Sequence, residues 1–315
     1  MNSILVVVRT PTYQSVQPWL LAVAGDEGVD LAVSTYNDTE CPDGDLTKIE
    51  FSHHFVGGKW IAIYDFIRSH PHLLDKYDYF WFPDDDIETS ADIAREFIAL
   101  CRDERFAIAQ PSLTIDSYYA HRVTLTNSRF RFRRTNFVEL MMPLMSATFL
   151  RRVLPLFADR HAALGIDLFW HKLAPNPMRD VAIVDATPMG HYRPRQTHLK
   201  NVMSKQQIDI LSEKQKTFEY FSIYWVGATI ISAETTYGKE VGRGFLMWWM
   251  YFLGMSSVRK RICRPQCSRT KMLLMLYEMV STDPEKPCYD HERYLKVFKQ
   301  KSIDGVSSSR AVQPL

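Results

Sequence analysis

Tyr77-Asp78-Tyr79-Phe80-Trp81-Phe82-Pro83-Asp84-Asp85-Asp86-Ile87-Glu88 is the stretch whose reading decides the fold. Tyr79, Phe80, Trp81 and Phe82 form an unbroken aromatic run, which predicts a buried strand. Pro83 ends that strand, because proline has no N–H to give to a ladder. Asp84, Asp85 and Asp86 then stand at the strand's carboxyl end, the edge at which open α/β sheets bind ligands. Three adjacent carboxylates repel one another and call for a compensating cation. Hard divalent ions such as Mn²⁺ and Mg²⁺ take oxygen ligands and leave positions for substrate phosphates. Asp84 and Asp86 are two apart, so on extended backbone they share a side. The alternative is a solvated acidic turn that opens a helix over residues 86–90.

On either side of this stretch, strands and helices alternate. Residues 3–10 are continuous aliphatics, as in a parallel strand covered on both faces. Residues 15–24 predict a helix and 30–36 a second strand, the spacing of a right-handed parallel crossover. Residues 46–50 suit a short strand, and Gly57-Gly58-Lys59 opens a helix that Pro71 closes. An amphipathic helix over 90–101 and a strand over 106–111 follow. The pattern is that of an α/β, Rossmann-like, mostly parallel sheet flanked by helices.

The middle of the chain differs. Residues 114–136 hold Tyr118, Tyr119, His121 and a series of arginines up to Arg134, which reads as a strand pair lining an anion-binding cleft or as a basic surface. Residues 137–143 are an apolar strand by pattern, interrupted by Glu139. A helix is expected over 149–161, and Gly165-Ile166-Asp167 opens another. Residues 180–185 form a buried strand that leads into a loop holding His191 and Arg193. The organisation expected is a catalytic domain over residues 1–200, a helical, apolar and basic extension over 201–300, and a Ser-rich tail over 301–315.

Composition narrows the function classes. The 315 residues are 46% apolar and 23% charged, with a net charge of +2, ordinary for a globular protein and no basis for a nucleic-acid binder. Five scattered cysteines predict reduced thiols in a cytoplasmic protein. Cys263 and Cys267 have one residue too many between them for the usual zinc knuckle. No leader segment is expected before the first strand. The longest apolar run, residues 245–255, is about half the roughly twenty residues that a membrane-spanning helix needs.

The first strand, the acid triplet behind an aromatic strand, Gly165-Ile166-Asp167 and His191 together resemble the GT-A class of nucleotide-sugar-dependent glycosyltransferases. More narrowly, Tyr77-Asp78-Tyr79 with the triplet, residues 137–143, Gly165-Ile166-Asp167-Leu168 and Ile183-Val184-Asp185 with His191 are similar to an uncharacterised GT-A-like domain family of plants and bacteria. The likeness spans residues 1–195. It implies a GT-A-like sheet and transfer of a sugar from a nucleotide-diphosphate donor, a UDP-sugar first of all. The acceptor implied is a hydroxyl of a glycan or lipid-linked glycan, in cell-surface polysaccharide synthesis. It further implies that Mn²⁺ or Mg²⁺ sits on Asp84, Asp86 and His191, and that Asp167 is the base of an inverting reaction. Helix capping would equally account for Asp167. Arg9, Thr10, Tyr13, Asp38, Lys59 and Asp85 are the expected nucleotide-sugar contacts, and Glu139 and Arg193 the acceptor-side candidates. The triplet has one aspartate more than the pattern, so the metal-binding pair is open.

Trp248, Trp249, Tyr251 and Phe252 precede Arg259, Lys260, Arg261 and Arg264, which predicts a segment lying in a membrane interface at the inner face, or else a helix packed on the core or against a second copy. Two rival functions are weighed. A nucleotidyltransferase needs a glycine-rich phosphate loop, which Arg9-Thr10-Pro11-Thr12 lacks. A non-enzymatic calcium-binding protein associated with membranes needs a twelve-residue acid loop, which is missing.

Overall fold

The structure, a computed structural model, describes residues 3–38, 48–193, 208–258 and 269–301. Its strands are β1 (Ile4–Thr10), β2 (Val29–Thr35), β3 (Ile49–His54), β4 (Tyr79–Trp81), β5 (Ile87–Glu88), β6 (Ile108–Leu113), β7 (Phe130–Thr135), β8 (Leu144–Ser146), β9 (Val181–His191), β10 (Ile230–Thr235) and β11 (Glu240–Gly242). They form one sheet in the order β11-β10-β7-β9-β6-β8-β4-β1-β2-β3, with β5 paired to β9. Strands β3, β2, β1 and β4 are mutually parallel, β8 enters antiparallel, and β6 and β9 resume the first direction. This is the Rossmann-like, mostly parallel sheet expected. The carboxyl ends of β1, β2, β4, β6 and β9 therefore share one edge.

The strands are apolar on both faces because helices cover both. Ile4, Val6 and Val8 belong to one buried cluster with Trp19, Trp81 and Phe97. Leu5 and Val7 belong to the other, with Trp60, Phe66 and Phe157. Helix α1 (Pro18–Val23) and α4 (Ala91–Glu104) lie on the first face, and Trp81 fills the space between them, 5.2 Å from the Trp19 ring and 5.1 Å from Phe97. Helix α2 (Lys59–Ser69), the single turn α3 (Leu73–Lys76) and α5 (Ala147–Val153) pack on the second. Emptying one such aromatic site costs about 3–5 kcal/mol.

Two predicted elements take other forms. The apolar run 137–143 is a loop, because side chains take its carbonyls before a strand can. Trp170 Nε1 donates to Val138 O at 3.0 Å, Lys59 Nζ to Leu140 O and Met141 O, and Trp81 Nε1 to Met142 O. The helix expected over 149–161 ends at Val153 and tightens to a 3-10 turn, Leu154–Phe157, where Pro155 removes a donor. The segment after Gly165 likewise forms two short 3-10 turns, Ile166–Leu168 and Trp170–Leu173.

Beyond residue 207 the chain is helical in α6 (Ile210–Phe221), α7 (Phe245–Val258), α8 (Arg269–Ser281) and α9 (His291–Lys301). It also returns β10 and β11 to the sheet against β7, so the extension is part sheet. No helix among the described residues is long and apolar enough to cross a membrane. Cys41, the Cys263–Cys267 pair, the basic run 259–264 and the Ser-rich tail lie outside the described residues; Cys101 and Cys288 are buried free thiols.

Candidate active site

The site forms where β1 and β4 part company, since the chain leaves β1 toward β2 and β3 on one side and returns as β4 on the other. A crevice opens at such a reversal in a parallel sheet. Past Pro83, Asp84 continues the β4 path, bridging to Arg9 of β1 and donating its N–H to Met141 O at 3.0 Å. The chain then turns back through Asp85 and Asp86 into β5, whose Ile87 pairs with His191 at the end of β9. That register sets His191 beside the triplet. The loop expected over 188–194 is thus a strand as far as His191.

Asp86 Oδ2 and His191 Nε2 face each other at 3.3 Å. His191 Nδ1 bonds Tyr118 O at 2.9 Å, and the His191 peptide is held by Ser117 Oγ and the Tyr118 N–H. An Nδ1–H that donates to the Tyr118 carbonyl leaves Nε2 with a lone pair aimed at a carboxylate oxygen, an arrangement that needs a cation between them. In the protein alone, burial works against the charged imidazole, but Asp86, Tyr118 O and Asp84 outweigh it and raise its pKa. Burial works against the Asp86 carboxylate too, and His191 and Arg193 outweigh it, so its pKa falls. Arg193 reaches Asp85 Oδ1 at 3.3 Å and Asp86 Oδ2 at 3.5 Å. Burial, with Asp86 and Asp84 adding to it against Arg193, lifts the Asp85 carboxyl to about 6.

Asp84 has a different partner. Lys59 Nζ lies 2.6 Å from Asp84 Oδ1 and also donates to Phe82 O, Leu140 O and Met141 O. Lys59 gets there because α2 begins on two glycines. A Cβ on Gly58 would stand 2.3 Å from His161 O, so only glycine lets the helix start against that backbone. Lys59 is therefore a clamp that joins the triplet to the 137–143 loop, where sequence predicted a phosphate contact.

Four of the expected nucleotide contacts have partners within the chain. The terminal nitrogens of Arg9 donate to Ser34 Oγ, Thr35 O, Phe55 O and Gly57 O, strapping the ends of β2 and β3 to β1, and burial lowers its pKa to about 10. Thr10 is fully buried and donates to Thr12 O. The Tyr13 ring belongs to the core. Asp38 accepts the Tyr13 N–H at 3.0 Å and so shapes the loop after β1. These four build the rim of the crevice. Tyr36, which follows β2 and is expected with Asp38 to meet the nucleotide, stands in the site: Arg9 stacks 5.3 Å from its ring, and burial and Asp85, against Arg9 and Arg193, raise its pKa to about 12. Gln17 donates to Asp85 O at 3.0 Å. No pattern in the sequence marks Gln17 or the carbonyl of Tyr118 as site groups.

Asp167 is buried in the turn that Gly165 makes possible. Gly165 has φ +98, and a Cβ there would stand 2.5 Å from the Phe218 ring. Burial pushes the Asp167 carboxyl up to about 7, opposed by the backbone N–H groups of Gly165, Asp167 and Leu168 and by Lys214. The 137–143 loop runs between this turn and the triplet, held by Trp170 at Val138 and by Lys59 at Leu140 and Met141, with Glu139 between the two holds. The Glu139 N–H is fixed by Gln110 Oε1. The arginines of β7 are used elsewhere: Arg133 pairs with Asp185, Arg131 with Glu104 and Glu234, and Arg134 with Glu240. They line no anion cleft.

Among the described residues no three His, Cys, Asp or Glu side chains converge as a ready cage for a metal. Two converging donors fit a hard divalent cation that keeps most of its shell for water and phosphate. Asp86 and His191 supply such a pair, with His191 held by its other nitrogen.

The family described as "Protein of unknown function (DUF707)" matches residues 54–224, which include the triplet, Glu139, Asp167 and His191. No curated protein matches the sequence. Among solved structures, the chain is similar to S. aureus TarS 1–349 in complex with UDP, with a TM-score of 0.40 and 9% identity over 69% of this chain and 72% of that one. It is similar to the same protein in complex with UDP-GlcNAc at 0.39 and 10%, over 69% and 71%. A197 from STIV gives 0.34 and 11%, over 78% and 95%. Likenesses at this level assign no activity.

Proposed function

The chain belongs to the DUF707 family, described as a protein of unknown function, and for it we propose a metal-dependent glycosyltransferase that moves a sugar from a nucleoside-diphosphate donor to a hydroxyl of a glycan, free or lipid-linked. One observation carries this reading: Asp86 and His191 meet at 3.3 Å, with Asp85 and Arg193 beside them, on the carboxyl edge at the sheet's reversal point. Bound there, Mn²⁺ or Mg²⁺ would neutralise the charge that builds on a departing diphosphate. Asp86 and His191 would hold it. Lys59 holds Asp84 through Oδ1. Arg193, the most exposed cation of this group, can swing from the aspartates to a phosphate oxygen and pair with it.

The attacking hydroxyl must lose a proton. Asp167 is the base in this reading, since a carboxyl lifted to about 7 accepts protons well at neutral pH. The hydroxyl oxygen then attacks the anomeric carbon from the face opposite the departing diphosphate, which inverts that centre, and its proton passes to Asp167. Glu139, on the loop that joins the Asp167 turn to the triplet, is the second candidate. Reaction in cell-surface polysaccharide synthesis is the setting such an acceptor implies.

The test is a panel of UDP-, GDP- and ADP-sugars incubated with the full chain and Mn²⁺, with released nucleotide measured. One base class should yield nucleoside diphosphate, in a reaction stopped by chelation. Donors that all survive would overturn the proposal, and release of pyrophosphate would make the protein a nucleotidyltransferase.

A further inference from the structure

Helix α7 is apolar all round, and such a helix is ordinarily covered on every side. Here one side is covered. Met247, Trp248, Tyr251 and Met255 face the core, and the Asn127 side chain sits so close to Gly254 that a Cβ there would meet it. The other side presents Phe245 at 84% exposure, Leu246 at 54%, Trp249 at 53% and Phe252 at 40%. The expectation for the aromatic run is thus half corrected, since Trp248 and Tyr251 point inward. Helix α8 lies alongside, tied by Arg243 to Val280 O and by the Tyr251 hydroxyl to Met279 Sδ, and adds exposed Leu274 and Tyr277.

From Val241 to Tyr277 the sequence has seven Lys and Arg residues and no Asp or Glu. An apolar, aromatic-bearing face on a stretch of one charge sign is complementary to lipid with anionic headgroups. A protein partner would call for a polar rim of mixed character. We infer that the outer face of the α7–α8 pair docks this protein on an anionic bilayer, lying in the interface without spanning it. The same helix rests on Asn127, in the stretch of chain that also carries Tyr118, the residue that holds His191. The inference stands on surface chemistry and holds whether or not the protein transfers sugars.

The full chain is tested by flotation with vesicles of phosphatidylcholine alone and of phosphatidylcholine with about 30% phosphatidylglycerol. Binding to the anionic vesicles is expected to be at least about tenfold tighter, and to weaken with salt. Trp249→Glu with Tyr277→Glu should lose about tenfold or more, Trp249→Ala should lose less, and Asp86→Ala should bind as the parent does. No preference for the anionic vesicles, or a double variant that floats like the parent, would overturn the inference. So would a lipid-free dimer that the same double variant splits into monomers, because a second copy would then own the face.

Discussion

Two groups of charges on one sheet are built to opposite ends, one within the paired strands β7 and β9 and one past the end of β4. Arg133 and Asp185 are fully buried and meet through two bonds, Nε to Oδ2 at 2.6 Å and Nη2 to Oδ1 at 2.8 Å. Their remaining capacity is filled by Val123 O, Leu125 O and the Asn127 N–H. At the other group, three carboxylates share Lys59, Arg193 and His191 over distances of 2.6 to 3.5 Å, with Arg193 partly in solvent. The first group is saturated and closed. The second sets three carboxylates against Lys59 and Arg193, with His191 as the third partner, and opens to the edge. Carboxylates gathered where nothing closes them cost stability, and that cost is a mark of a site held ready for a ligand.

The contrast predicts where each substitution shows its effect. Asp86→Ala should lower transfer by about 10³-fold or more while costing less stability than Asp185→Ala, because Arg193, one of its partners, reaches solvent; rate and thermal unfolding measured together decide it. Asp185→Ala should do the reverse, costing about 3–5 kcal/mol by leaving Arg133 buried and unpaired. Denaturant unfolding reads that loss.

Asp167→Asn sharpens the comparison, because a buried acid adapted for chemistry is a burden on the fold. Its pKa in the folded protein, about 7, lies above the roughly 4 of an unfolded aspartate, so the native state binds more protons between those values. Stability is therefore lost as pH rises from about 4 to about 7. The Asn variant should be about 1–3 kcal/mol more stable than the parent at pH 8 and slower by about 10²-fold or more, and the parent's rate should climb through pH 7. Lys59→Met has the smallest expected effect, about 1–3 kcal/mol, from three carbonyls and Asp84 left without their donor. A drop in rate beyond that accompanying loss would show Lys59 to touch the donor.

Much of this frame was legible in the residues. Continuous aliphatics in β1 and the aromatic run of β4 demand burial on both faces, and Pro83 followed by three aspartates can end only at a strand's carboxyl edge. Less legible was what each polar side chain turns toward. Arg9 and Lys59 read as ligand contacts because a cation near a strand end suits phosphate, yet both are spent on backbone carbonyls that no neighbouring strand satisfies. The 137–143 run reads as a strand because apolar pattern does not reveal that Trp170, Lys59 and Trp81 take its carbonyls. Pairing of His191 with Asp86 depends on the register of β5 against β9, a contact about a hundred residues apart in sequence that no local pattern encodes.

The central claim is that Asp86 and His191 grip a divalent cation that in turn holds a nucleoside diphosphate. Anomalous diffraction at the manganese edge, from crystals soaked in MnCl₂ and UDP, tests it most directly. A single peak about 2.1 Å from both Asp86 Oδ2 and His191 Nε2, with diphosphate oxygens completing its shell, is the result expected. A bound nucleotide with no manganese between those two side chains would contradict it.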